Sequence, residues 1–223
     1  FQRSFPQLAV KSTVDNLDDF DYQISLGDLP CLFRPSLSSF RNPHPYIQAD
    51  VRQQKYFKSK YREDGKILVG ISWDSKPPKG IALDEFSPLF KMPFCKFINL
   101  QYGDHSMEID KFQEKNNCKI ETDNTINSLL DFDTFIGQVA AMDIVITVQN
   151  TTLYTAGGLG LPTLAILPPI PDWRWLGQKK KSPWHANVTL YPRSNRSNNF
   201  PIGSIISKIG EKLQEHNQNV LVN

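Results

Sequence analysis

Cysteine is scarce in this 223-residue chain: Cys31, Cys95 and Cys118 are three in number and form no CxxC pair. That excludes a disulfide framework and a thiolate zinc site, and makes a reducing compartment, the cytoplasm, the expected location. The four histidines, His44, His105, His185 and His216, lack metal-ligand spacing, so neither a metal nor a cofactor is expected. No apolar run approaches the roughly 18 residues that span a bilayer. The opening FQRSFPQLAVKS has neither a signal-peptide core nor an initiator Met, which reads as a start in mid-sequence, and so as a fragment. There is little excess charge of either sign: the formal net charge is +2 and the sequence pI is near 8.4. A dedicated nucleic-acid binder would carry far more. The densest basic run, Lys179-Lys180-Lys181, reads as a solvated loop face. Also missing are GxGxxG, GxxxxGK[ST] and GxSxG, which counts against nicotinamide binding, P-loop hydrolysis and a serine hydrolase elbow.

What the chain does have is enough apolar residues for a core, 39% of the total, with 11% aromatics. Residues 1–60 are irregular and rich in Pro, Ser and Asp, and read as a remnant of one subdomain plus a connector. Within them FDYQISLGDLPCLFRP holds one short alternating run followed by turn residues. PHPYIQAD is extended, because a residue before proline is pushed away from helix. VRQQKYFKSKYRED is an amphipathic helix ending at Gly65.

Residues 61–223 have a different texture. KILVGISW, KFINLQ, a weak run from Cys118 to Glu121, IVITV, the run after Pro162 and NVTLYPR read as strands. ALDEFSPLF, HSMEIDKFQEKN, LLDFDTFIGQVAAM with Asp133 as N-cap, and PIGSIISKIGEKLQEH read as helices. Strands alternating with helices predict an α/β fold with a doubly wound parallel sheet. The stretch from Ile144 to Leu167, IVITVQNTTLYTAGGLGLPTLAIL, is the most informative. It is a buried strand, a polar turn, a small-residue helix and a second buried strand, hence a βαβ unit. At such a strand-to-helix turn, free N–H groups and the helix dipole favour an anion such as a phosphate.

Candidate residues cluster where strands end. After KILVGISW comes Asp74-Ser75-Lys76-Pro77-Pro78-Lys79-Gly80, where Lys76 or Lys79 can meet a phosphate as a point charge. After KFINLQ, Gln101, Tyr102 and Gly103 offer an amide, a ring and bare backbone. After IVITV stand Gln149, Asn150, Thr151 and Thr152, more polar residues than a helix cap needs. The long loop Pro168–Arg193 holds three of the four tryptophans, Trp173, Trp175 and Trp184, beside Asp172 and Arg174. The tryptophans either stack on a base or sugar or latch the loop to the sheet edge.

Taken in order, PYIQAD, VGISW, NLQYG, LLDFDTFIGQVAAMDIVITVQNTTLYTAGGLGLP and DWRW…SPW resemble the carboxyl-terminal glycosyltransferase domain found behind tetratricopeptide repeats in many bacterial proteins. That domain is related to the ADP-heptose lipopolysaccharide heptosyltransferases of the two-domain GT-B class. The match runs from about Phe20 to Arg193. It implies a Rossmann-like carboxyl-terminal GT-B half with a partial amino-terminal subdomain. The partner it implies is a nucleotide-diphosphate sugar; the acceptor is left open. By motif position Lys79 matches the lysine that neutralises donor phosphates, although the loop is short and Lys76 stays in play. Gln149, Asn150 and Thr151 match the phosphate- and sugar-facing turn. The family usually has Asp where Gln149 stands and His where Tyr154 stands. The resemblance also places the general base, an Asp, in an earlier part that this chain lacks, so at most weak donor binding, and no transfer by this chain alone, is expected. A non-catalytic module that kept the fold is the other reading.

Overall fold

The computed structural model describes residues 1–14, 16–41, 43–178, 180–193 and 202–222. Lys179 and Pro201, parts of two segments read above, lie outside the described residues. In the amino-terminal segment a short helix, α1 (Leu29–Phe33), lies among the turn residues of the sequence reading, and α2 (Val51–Tyr61) follows. Then come β1 (Ile67–Ser72), a 3₁₀ helix (Leu83–Lys91), β2 (Cys95–Asn99), α3 (Ser106–Asn116) and β3 (Ile120–Glu121). The second half runs α4 (Phe132–Ala140), β4 (Ile144–Val148), α5 (Thr151–Leu159), β5 (Thr163–Leu167), β6 (Val188–Pro192) and α6 (Ile202–Val222).

The six strands form one parallel sheet in the order β3-β2-β1-β4-β5-β6. All six residues of β1 and all five of both β4 and β5 are buried, as expected of strands covered on both faces. Because side chains alternate across a strand, β1 sends Ile67, Val69 and Ile71, and the extended chain after it Trp73, to a core shared with the 3₁₀ helix, α3 and α6. Leu68 points the other way, into a core with Phe57 and Tyr61 of α2, Phe135 and Val139 of α4, and Ala156 of α5. The sheet is therefore wound on both sides. Strand order reverses between β1 and β4, and ligands in such sheets bind at that crevice, outside the strands' carboxyl ends.

One helix start differs from the sequence reading. Asp131, not Asp133, caps α4, its carboxylate accepting from Thr134 N at 3.1 Å. Asp133 instead takes both guanidinium nitrogens of Arg3, at 2.8 and 2.9 Å. Two acids two residues apart carry equal capping propensity, and a partner 130 positions away decided between them. The extended Pro43–Asp50 stretch is present as read. The N–H groups of Tyr46 and Ile47 both donate to Gly158 O, at 2.8 and 2.9 Å, which anchors this segment on α5.

Candidate functional site

At the switch point β1 and β4 end side by side, and Asn150 joins them. Its Nδ2 donates to Ser72 Oγ at 2.7 Å and to Asp74 O at 3.2 Å. Its Oδ1 accepts from Thr147 Oγ1 at 3.0 Å and from Leu153 N at 3.4 Å, the latter bond being the N-cap of α5. All four hydrogen-bonding positions of the amide are thus used inside the protein. Gln101 does the same from the end of β2. Its Oε1 accepts from Ser72 Oγ, Trp73 N and Asp74 N at 2.9, 3.0 and 2.9 Å, which shapes the chain leaving β1. Thr152 is buried and donates to Leu100 O at 3.2 Å.

The backbone of α5 offers what these side chains do not. Asn150 satisfies only the third of the helix's free donors, Leu153 N. Among the described residues, neither Thr151 N–H nor Thr152 N–H has a partner. Both residues line a cavity of about 740 Å³. Lys76 and Lys79 line it too, and among the described residues neither ammonium makes an ion pair. Two unpaired cations facing a helix N-terminus make the cleft attractive to anions.

Eight of the nine sequence-read residues meet here: Lys76, Lys79, Gln149, Asn150, Thr151, Thr152, Asp172 and Arg174. Gln101 lines an adjoining cavity of about 320 Å³ at the ends of β2 and β3, together with Asp104, Asp123, Asn124 and Asn127. Asp172 and Arg174 face the cleft as a pair, Arg174 Nη1 lying 2.8 Å from each carboxylate oxygen. Gln149 is 2% exposed, and its Oε1 accepts from Asp172 N at 3.3 Å and Trp175 Nε1 at 3.1 Å. Tyr154 stacks on Trp175 with centroids 5.9 Å apart. Burial, followed by the nearby Asp172 charge, pushes its hydroxyl up to about 12, so it stays protonated at neutral pH.

The loop tryptophans differ in burial. Trp175, 1% exposed, latches the loop; Trp173 is 51% exposed. Arg193, not singled out in the sequence, ends β6 and clamps the lysine loop. It donates to Leu167 O and Gly80 O at 3.3 Å, to Lys79 O at 3.2 Å and to Pro78 O. The available signal was an arginine at a strand's carboxyl end, beside the other site loops. Tyr46, from the extended segment, also lines the cleft. Among the described residues no group of three or more His, Cys, Asp or Glu is placed to hold a metal, and no helix is long and apolar enough to cross a membrane.

No family model matches the chain. Protein FlbA of Caulobacter vibrioides is 28% identical over 213 residues, spanning 86% of this chain and 35% of FlbA. Among solved structures, E. coli ADP-heptose lps heptosyltransferase II is 12% identical at a TM-score of 0.56, over 81% of this chain and 57% of that one. A glycosyl transferase family 9 protein from Veillonella parvula is 16% identical at 0.54, over 79% and 53%. E. coli heptosyltransferase WaaC with ADP is 11% identical at 0.51, over 80% and 53%. The chain thus spans about a third of FlbA and somewhat over half of each solved relative. Its fold is the Rossmann-like α/β fold of these GT-B glycosyltransferases.

Proposed function

We propose that the chain is the donor-binding region of a GT-B glycosyltransferase and holds a nucleotide-diphosphate sugar by its pyrophosphate. The observation that carries this reading is the meeting of the free Thr151 and Thr152 N–H groups with unpaired Lys76 and Lys79 across one cleft. In sugar transfer the leaving diphosphate gains negative charge, and fixed N–H donors and ammonium groups stabilise that charge as it develops. The acceptor hydroxyl also needs a base. Asp172 is the one carboxylate lining the cleft among the described residues, and Arg174 already holds both its oxygens. On this reading the base comes from outside the cleft, and the isolated chain binds donor without transferring it. That the heptosyltransferases share the fold, one of them with ADP, supports the choice of donor.

A second reading, a binding module without chemistry, is favoured by Gln149, whose Oε1 is committed to holding the loop after β5. Melting temperature measured against UDP-, ADP- and GDP-sugars tests the first claim. A bound donor at 100 times its Kd raises stability by about 2.7 kcal/mol. No rise with any of them overturns the donor reading, and turnover by the full-length protein overturns the module reading.

A further inference from the structure

Beside the donor cleft lies a second cavity of about 470 Å³, walled by Leu26, Pro30, Tyr46, Tyr154, Trp173 and Trp184. Tyr46, Tyr154 and Arg174 line both cavities, so the two adjoin. We infer that this aromatic cavity is the subsite for the sugar ring of the donor, an inference that rests on the donor-binding reading.

The walls are fixed from behind. Trp184 donates its indole N–H to Arg174 O at 2.6 Å and meets the edge of Phe40 at 4.6 Å. Tyr46 is held between Phe5 at 6.4 Å and His185 at 5.8 Å, and Tyr154 lies against Trp175. Such rings form a preset surface that loses little freedom when a ligand packs on it. Trp173 differs: it is half exposed, with the Arg174 guanidinium 4.7 Å from its ring centroid and Trp184 edge-on at 6.4 Å. Its apolar surface is left to water in the free protein, next to a charged pair able to bind hydroxyls. A pyranose fits that combination, because its C–H face packs on aromatic rings while its hydroxyls reach Arg174 and Asp172.

The ends of the cleft set the orientation. The cavity beyond β2 and β3 carries Asp104, Asn124 and Asn127, polar groups suited to ribose hydroxyls and a base edge, while Asp123 there is already held by Lys60, Tyr61 and Thr125. With the pyrophosphate between the two ends, at α5, the aromatic end is left for the sugar.

Isothermal titration of a nucleoside diphosphate and of its matching nucleotide sugar, against wild type and Trp173→Ala, tests this. Trp173→Ala is expected to weaken the nucleotide sugar about tenfold and the free diphosphate less than twofold, with Trp173→Phe restoring most of the loss. Equal weakening of both ligands would mean that the ring packs on the base, and no weakening of either would mean that it packs on nothing; each overturns the inference. Acrylamide quenching of the wild-type protein needs no variant: the sugar nucleotide should shield tryptophan and the free diphosphate should not. Equal shielding by both, or none by either, contradicts the proposal. If wild type binds no nucleoside diphosphate at all, the donor-binding reading itself falls, and this inference with it.

Discussion

Trp175 donates its indole N–H to Gln149 Oε1 at 3.1 Å, which ties the loop after β5 to the turn after β4. Both residues are buried, and the same oxygen also takes Asp172 N–H. Gln149→Ala therefore leaves two donors without a partner in the interior. The expected cost is about 1–3 kcal/mol of stability, read as a lower urea midpoint with an unchanged slope. The Asp172–Arg174 pair should loosen with it, so affinity for a nucleotide falls alongside stability.

Lys79 and Lys76 face the cleft without carboxylate partners, so their charge is available to a phosphate. Lys79→Gln is expected to weaken nucleoside diphosphate binding about tenfold at low salt and less as salt rises, because screening already removes part of what the lysine supplies. Lys76→Gln should act more weakly, since Lys76 is exposed and Lys79 is partly enclosed with its backbone held by Arg193. Titrations at two ionic strengths check both statements. Equal affinities for wild type and both variants would remove the lysines from the site.

His185 gives the fold an acid-sensitive point. Burial pushes its imidazole down to about 4 from an ordinary 6.5. Between those values the unfolded chain takes up a proton that the folded chain does not. The effect of His185 on stability is therefore constant above pH 6.5 and lowers stability as pH drops towards 4, by up to about 3 kcal/mol. His216 in α6 is also lowered by burial and adds a loss of the same sign. His185→Asn should flatten the stability curve between pH 6.5 and 4.5 in urea denaturation. An unchanged slope there would contradict the burial argument.

Gly158 marks where the extended segment presses on α5. A Cβ there would stand 2.6 Å from Ile47 Cδ1 and 3.1 Å from the Tyr46 ring. Gly158→Ala usually favours a helix by about 1 kcal/mol, but here the contact forces Pro43–Asp50 away from the helix. The expected result is a net loss of stability and weaker hydrogen-exchange protection at Tyr46 N and Ile47 N, the two amides bonded to Gly158 O. Full protection in the variant would show that the segment does not depend on this contact.

Much of the architecture was legible in the chain because strands buried on both faces read as unbroken apolar runs. IVITV and KILVGISW required no knowledge of distant partners, and the QNTT turn marked a helix start by its capping residues. In the structure that helix begins at Thr151, so the turn proper is Gln149 and Asn150. Harder to read was how each polar side chain would be used. Asn150, Gln101 and Thr152 spend their hydrogen bonds on Ser72, Trp73, Asp74 and Leu100, and an amide able to bind a ligand looks the same in sequence as one that binds a neighbouring strand. Arg193 and Arg3 were missed for a related reason. Asp133, which Arg3 holds, and the lysine-loop carbonyls that Arg193 holds lie more than 100 residues away, and nothing local in NVTLYPR or FQRSF marks them. The three loop tryptophans were read as one group, yet one is a latch and another stands half in solvent, a difference set only by tertiary packing.

The central claim is that the two free amides at the start of α5 hold a pyrophosphate. Backbone amide resonances followed by NMR during titration with a nucleoside diphosphate test it directly. Thr151 and Thr152 should shift together and saturably, and the same nucleoside without phosphates should leave both in place. A nucleotide that binds while these two resonances stay still, or the absence of binding by any nucleoside diphosphate, would contradict the account.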